Sequence, residues 1–513
     1  MKQRSILSST LQVTAAMLLI KLLGVLKQSL IAAICGATAE TDAYFVATGV
    51  IIALCSVIFS SLSISLLSIH TERLVTEGRE ASNNLINAVL RVFIPIAIAI
   101  AVLTVVFSHG VAKILAPSYE GEQLRLLAEY IRLMSAMFVF TCYYLIINVV
   151  LETDKRFLPG KGQNFLQNLF ICIAAVTCYG KFGMSALIYA FLLAGAVQCI
   201  QITWNARKEF HFCRTVRPEK ETIQKLLTLT VPLLIGNAIY EINDIVDKQI
   251  ATGLGHGNVS FLSYGASINE IVTTLIISSV STVMFSHYAT WAAEGEYDRI
   301  KSNLERSIEY LVVLILPVMV ICFVCGDTVV DVLYGRGNFD GQAISSTAGV
   351  VFGYACGFLF QAMRANLVRV YYAFEDTKTP MINGAISVAI NVVLSILLSK
   401  VMGVGGIAAA TSIAMLIVTI LLIPGTKKYI KGFSILKRVS EYGKAAGAAA
   451  IVCLAAYWLR SMLHTGSFLT LVTIGVFTLA GYLAVTCLMR VQAVDKIMKD
   501  AVHILMTRLK RTK

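Results

Sequence analysis

The sequence predicts an all-α, polytopic membrane protein of about fourteen transmembrane helices: two six-helix bundles in pseudo-twofold repeat around a central cavity, with two further helices at the C-terminal end. Three observations carry that expectation. The 513 residues are 57% hydrophobic and only 14% charged, with a mean hydropathy of +0.76, far more apolar than a soluble domain of this length. Apolar stretches long enough to cross about 30 Å of hydrocarbon recur from end to end. The chain also matches itself at a shift of about 220 residues.

The first stretch, 6–33, is interrupted by Lys21 and Lys27 and has no small-residue cleavage site after it, so it reads as a retained span rather than a secretory signal. Spans are then expected at 40–69, 86–114, 124–151, 163–180 and 184–204, separated by charged or Gly- and Pro-containing loops. A second set begins at 226–253 and continues at 259–289, 307–333, 342–374, 380–400 and 404–425. Spans at 444–463 and 467–489 lie outside the repeat and close the chain. The domain expectation is therefore a first bundle over 1–220, a second over 221–430, two extra helices over 431–490 and a basic tail over 491–513.

The self-match aligns the segment from Tyr44 with that from Ser263, Ala47 with Ala266 and Ser60 with Ser279. Further on it aligns Asn168 with Asn391 and Gly183 with Gly406, and the loop grammar of ETDKRFLP returns in EDTKTP. Six spans per copy is an even number, so both copies enter the membrane from the same side and an axis along the membrane normal is expected to relate them.

Lys and Arg are biased to one side of this arrangement. They crowd the loops holding Lys155, Arg156 and Lys161; Arg207, Lys208, Arg214, Arg217 and Lys220; and Lys427, Lys428, Lys431, Lys437 and Arg438, with the tail at Arg508, Lys510, Arg511 and Lys513. The other side holds Lys181, Arg336, Lys400 and Arg460. The positive-inside rule then places both termini in the cytoplasm. The net charge of +13 follows from that bias, and no nucleic-acid partner is expected, because the cations sit in short loops beside spans instead of on a base-reading face. The twelve cysteines are scattered singly, and the one CxxC, Cys322 with Cys325, lacks any second pair, so no metal is expected beyond sodium.

Charges inside the spans are the functional signal. A charged side chain at mid-bilayer costs about 2.5 to 3.5 kcal/mol on an insertion scale, so those retained face a cavity or a partner. The first half has Lys21, Lys27, Asp42 and Arg132; the second has Glu241, Asp244, Asp247, Lys248, Glu270, Arg364 and Arg369. Lys21 and Lys27 fall on one helix, where one face is expected to present both, and Glu241, Asp244 and Lys248 follow an i, i+3, i+7 stripe. The functional reading gives the cations to an anionic head group and the acids to Na⁺ or H⁺ coupling. The bland reading pairs Asp244 with Lys248 and lets Lys27, Asp42 and Arg369 snorkel from span ends.

Three stretches carry a family resemblance. KLLGVLKQSLIAAICGATAETDAYFVA from Lys21, LYGRGNF from Leu333, and RVYYAFEDTKTPMINGAISVAINVVLSILL from Arg369 resemble signatures of the MurJ/MviN lipid II flippases, within the multidrug/oligosaccharidyl-lipid/polysaccharide exporter superfamily. The resemblance implies a bacterial cytoplasmic-membrane flippase, not an enzyme, that carries an undecaprenyl-diphosphate-linked peptidoglycan precursor to the outer leaflet by alternating access. It implies a lipid-tail groove in the last two spans, membrane lipids and the lipid-linked glycan as binding partners, and cell-wall synthesis proteins as candidate partners. It implies head-group contacts at Lys21, Lys27 and Asp42 and coupling-ion acids at Asp244 and Asp376, to which the charges inside the spans add Glu270 and Arg364 for the head group and Glu241 for the ion, with no cofactor beyond a coupling Na⁺ or H⁺. The sequence departs from the family pattern where Lys21 and Lys27 replace Arg, and where Cys55, Ser60 and Ser267 stand at positions the family usually charges. Lys lacks the planar two-point fork of Arg. Another lipid-linked glycan is therefore a competing substrate, and a cation-coupled multidrug exporter a more distant alternative. A membrane-embedded polymerase would need a large loop bearing acids or histidines, and loops such as APSYEGEQ are too short for one.

Overall fold

The computed structural model describes residues 6–213, 216 and 219–496, whose regular structure is all helical, with no strand among them. The first six spans comprise α1 (Ile6–Cys35); α2 (Ala39–Cys55) continued by α3 (Ser61–Thr76); α4 (Arg79–Val106) with the short α5 (Ser108–Leu115); α6 (Gly121–Met134) with α7 (Met137–Thr153); α8 (Gly162–Thr177) with α9 (Tyr179–Phe182); and α10 (Met184–Ala206). The next six are α11 (Lys220–Thr252); α12 (Asn258–Val272) with α13 (Ser279–Ala293); α14 (Tyr297–Tyr334); α15 (Gly341–Ala355) with α16 (Phe358–Ala373); α17 (Lys378–Met402); and α18 (Val404–Tyr429). The final pair is α19 (Val439–Met462) and α20 (Ser467–Leu488). Among the described residues, twelve spans are long and apolar enough to cross a membrane, or thirteen with the bent pair α15–α16. The remaining expected span is the 16-residue α8. The cations expected at Arg214, Arg217 and in the tail at 497–513 lie outside the described residues.

The internal repeat is written into the backbone. Span two passes through a π-helical turn at Ser56–Ser60, and span eight through one at Thr273–Ser278. Spans three and nine each enclose a proline, Pro95 and Pro317. Spans four and ten both break midway, at Ser135–Ala136 and at Cys356–Gly357. Gly183 precedes α10 with φ 55° and ψ −146°, and Gly403 precedes α18 with φ 58° and ψ −143°, a conformation that is essentially glycine-only. Gly403, not Gly406, is therefore the partner of Gly183. The loop register shifts as well: Lys155 and Glu375 share a positive φ of 59°, so a base in one copy stands where the other has an acid. Composition had suggested the motif, while the turn geometry fixes its alignment.

Packing divides the chain into two compact units, Met1–Ser260 with Arg336–Asp340, and Phe261–Gly335 with Gly341–Lys513. In the first, α1 lies on α8, α2 on α6, α4 on α7, and α10 on α7 and α8; α11 packs on α2 and α3 and so groups here although it opens the second repeat. Thr38 caps α2 by accepting the Thr41 N–H at 3.3 Å, and Glu40 and Asp42 in its first turn complement the helix dipole. Gly337, at φ 60°, and Asn338 form a turn against the end of α1, where Asn338 donates through its backbone and side chain to the Ala33 and Ile34 carbonyls, at 2.8 and 2.7 Å, left open by the helix terminus.

In the second unit the final hairpin seats on α14. A stripe of small residues, Ala445, Ala448, Ala449, Val452 and Ala456, lets α19 approach Leu304, Ile308, Val312 and their neighbours closely. Each end of α19 is also tied to α14 by an ion pair, Arg438 with Glu309 at 2.5 Å and Arg460 with Asp327. The second tie repairs a defect. The backbone of α14 breaks at Cys325 (φ −126°, ψ 25°), and the Thr328 N–H turns to Asp327 Oδ1 at 2.7 Å. Arg460 then donates to the Val324 carbonyl that the break leaves without its helical donor.

Candidate functional site

On α1, Lys21 and Lys27 are both half-buried. Six residues of helix separate them by about 120° and a rise of about 9 Å, so they do not share one narrow face as the sequence had suggested. They bracket Gly24, which stands between them and meets Asn168 on α8. Asn168 in turn donates to the Ile20 carbonyl at 3.4 Å, and Lys27 lies within electrostatic reach of Cys172. The missing side chain at Gly24 lets α1 settle on the amide-bearing face of α8 with one ammonium on either flank.

The stripe on α11 is assembled as its spacing required. Lys248 Nζ binds Asp244 Oδ2 at 2.7 Å, and Glu241 interacts with both and with the Ser56 hydroxyl on the π-turn of span two. Lys248 reaches across Gly49 of α2, where any side chain would strike its ammonium. The pairing of Asp244 with Lys248 is what the bland reading anticipated. Asp244 keeps about half of its side chain exposed and Lys248 only 15%, which leaves the acid open on one side. Asp247 is buried, and Asn243 donates to it at 3.2 Å.

Asp42 is fully buried. Its Oδ2 accepts the Gly257 N–H at 2.6 Å, and its Oδ1 accepts the Ser260 N–H at 2.7 Å and the Ser260 hydroxyl at 2.6 Å. A carboxylate from span two thus caps the start of α12, satisfying donors that a helix N-terminus leaves open. In this conformation its oxygens are spent on protein donors instead of facing a ligand.

The second unit holds the remaining candidates. Glu270 is exposed on α12. Arg364 is half-buried on α16 with its Nε unpartnered, and the Arg369 guanidinium lies 5.4 Å from the Phe285 ring. Near Arg364 on the same helix, Asn366 is fully buried and neither of its amide atoms finds a partner among the described residues. Gln361 accepts from Thr273 on the π-turn at 3.0 Å, the counterpart of the Cys55–Thr141 contact in the first unit. Asp376 lies in the loop before α17, not on the span. Its carboxylate accepts the Thr379 N–H and the Tyr429 hydroxyl, both at 2.9 Å. Burial alone would raise this acid, but the hydrogen bonds from Thr379, Tyr429 and Lys378 outweigh it and hold the carboxyl below its usual range.

Charge guided the sequence reading, so it passed over neutral polar residues. Gln163, Asn164 and Gln167 on α8 line a cavity in the first unit, and they follow an i, i+1, i+4 pattern on an otherwise apolar span. That stripe was legible. Among the described residues no group of three or more His, Cys, Asp or Glu side chains could hold a metal ion.

The family model for the lipid II flippase MurJ matches residues 31–477. The chain belongs to the MurJ lipid II flippase family. Among curated MurJ family members, the probable lipid II flippase MurJ of Thermotoga maritima is 23% identical over 512 residues, covering 94% of this chain and 96% of that protein. The one from Bdellovibrio bacteriovorus is 23% identical over 79% of each. Among solved structures, a lipid II flippase MurJ in an inward closed conformation matches with a TM-score of 0.81 at 21% identity, covering 93% of this chain and 98% of that one. An inward-facing multidrug resistance transporter of the MATE family matches with a TM-score of 0.69 at 13% identity over 81% of this chain. The shared architecture is that of a multi-span transporter with the MurJ fold.

Proposed function

We propose that this protein is a lipid II flippase of the bacterial cytoplasmic membrane, with both termini cytoplasmic. It moves the undecaprenyl-diphosphate-linked peptidoglycan precursor from the inner to the outer leaflet by alternating access. The observation that carries the reading is coverage: the likeness to the flippase takes in 93% of the chain, against 81% for the drug exporter, and the chain ends in an α19–α20 hairpin beyond the two six-span repeats. A hairpin seated on α14 through small residues suits an undecaprenyl tail, which a drug exporter has no need to hold. In this reading Lys21 and Lys27 in the first unit attract the diphosphate as point charges and Asp42 fixes α12, while Arg364 and Glu270 in the second unit are further head-group candidates. Glu241 and Asp244 take up the coupling Na⁺ or H⁺ by exchanging it against Lys248. The protein makes and breaks no covalent bond and uses no cofactor.

Cells depleted of their own lipid II flippase provide the test, with outer-leaflet lipid II as the readout. Wild-type protein restores it, and Lys21→Ala at equal expression does not. Failure of a well-expressed wild type overturns lipid II as substrate. It would favour the second reading, a flippase for another lipid-linked glycan, for which the neutral Cys55, Ser60 and Ser267 are the specific observation.

A further inference from the structure

The first unit holds a half-open cavity of 320 Å³ beside the π-turn of span two, at the lower end of the size range of ligand pockets. Its polar lining comprises Ser56 and Ser60 from the π-turn, Thr141 from α7, and Gln163, Asn164 and Gln167 from α8, with an apolar remainder that includes Ile51 and Phe191. No charged side chain is among the lining residues. Thr141 lies by Cys55 and Ser56 by Glu241, while the side chains of Ser60, Gln163, Asn164 and Gln167 make no hydrogen bond among the described residues.

Those four side chains decide the chemistry. Three carboxamides and a hydroxyl converge on one space inside an apolar bundle, each with donors and acceptors unspent. Asn164 is exposed and Ser60, Gln163 and Gln167 are half-buried, so their unspent donors and acceptors are open to water or to a ligand that enters the cavity. A diphosphate needs cations that the cavity lacks, and a bare cation would find only neutral amide and hydroxyl oxygens there, with no carboxylate in the lining to balance its charge. A group bearing several hydroxyls and an amide on a compact apolar-faced ring matches donors and acceptors in pairs, with Phe191 available to its ring face. The π-turn supports the same conclusion: such single-turn bulges cost helix stability and occur frequently at functional sites. Here the bulge carries Ser56 and Ser60 to the cavity.

We propose that this cavity is a subsite for a neutral, hydroxyl- and amide-bearing sugar ring of the transported lipid-linked glycan, separate from the cations that attract its diphosphate. The inference rests on the flippase reading. Gln167 and Asn164 select the sugar and Ser60 orients it, while Lys21 and Lys27 hold the anionic part.

The test compares binding of lipid II and of undecaprenyl diphosphate, which lacks the sugar, to purified full-length protein in lipid nanodiscs. Wild type is expected to prefer lipid II at least tenfold. Gln167→Leu and Asn164→Leu are expected to bring that preference below twofold while leaving undecaprenyl diphosphate affinity unchanged, a result that also shows the variants are folded. Ser60→Ala, a milder change, is expected to lower it about threefold. A tenfold preference surviving in both Leu variants overturns the subsite. Wild type that binds undecaprenyl diphosphate and lipid II equally also overturns it but leaves the diphosphate site standing. Wild type that binds neither lipid overturns the flippase reading and the subsite with it.

Discussion

Replacing Asp42 by Ala removes a buried carboxylate that three donors share, and the structure sets the size of the effect. The Gly257 and Ser260 N–H groups and the Ser260 hydroxyl lie 2.6 to 2.7 Å from its oxygens, and Asp42 itself is 0% exposed, so no solvent waits to take its place. Hydrogen bonds to a charged group contribute about 1.5 to 3 kcal/mol each. Counting only the two backbone bonds at the lower figure gives about 3 kcal/mol of lost local stability at the start of α12, or roughly a 150-fold rise in opening at 1.4 kcal/mol per decade. Hydrogen exchange followed by mass spectrometry on the protein in nanodiscs reads this directly at the Gly257 and Ser260 amides, with peptides from α7 (Met137–Thr153) as an internal control expected not to change. Ser260→Ala keeps both backbone bonds and is expected to accelerate exchange only about tenfold, for the loss of roughly 1.5 kcal/mol. If Asp42→Ala exchanges within threefold of wild type at both amides, the carboxylate is not what holds this helix end, and the reasoning fails.

Three further outcomes follow from other contacts. Gly49→Val should push Lys248 off Asp244 and lower thermal stability by about 1 to 3 kcal/mol, and adding Lys248→Met should recover most of it; a double-mutant cycle in a thermal unfolding assay that shows the two changes adding independently refutes the contact. Gly183→Ala and Gly403→Ala should each cost about 1 to 3 kcal/mol, and by similar amounts, because the two residues share one left-handed conformation; a harmless result at either would break the equivalence. Asp376 has a depressed carboxyl, so its contribution is fully present above the ordinary carboxylate value of about 3.9 and is lost as pH falls through its lower folded value. Exchange protection at Thr379 should therefore hold steady from pH 7 to about 5 and fall below about 4, while Asp376→Asn should flatten that fall; an unchanged acid limb in the variant assigns it to another group.

Period and hydropathy made the fold legible, because a bilayer demands long apolar helices whatever else they do. Alignment within the repeat was harder. Gly183 pairs with Gly403 through a shared φ and ψ, a property of the backbone that a string of similar apolar letters does not display, and this is why the sequence drifted three residues to Gly406. The charged stripe on α11 came through because i, i+3, i+7 is a fixed geometry. Asp42 and Asp376 could be seen as unusual acids but not as acids with partners, since Ser260 and Tyr429 lie far along the chain. The amides around the α8 cavity were legible as a stripe but not as a site, because they are uncharged and only their convergence gives them meaning.

The paired π-turns have a consequence for the history of the molecule. A π-turn marks one residue gained in a helix that would otherwise run smoothly, and such an insertion lowers stability where it falls. Ser56–Ser60 and Thr273–Ser278 occupy equivalent places in the two copies, each packed on the helix that follows the break in span four or span ten. Two independent insertions at one spot in two lengthening chains would be a coincidence; one insertion in a single ancestral six-span gene, copied along with everything else, would not. A single six-span ancestor that already carried the π-turn would account for both.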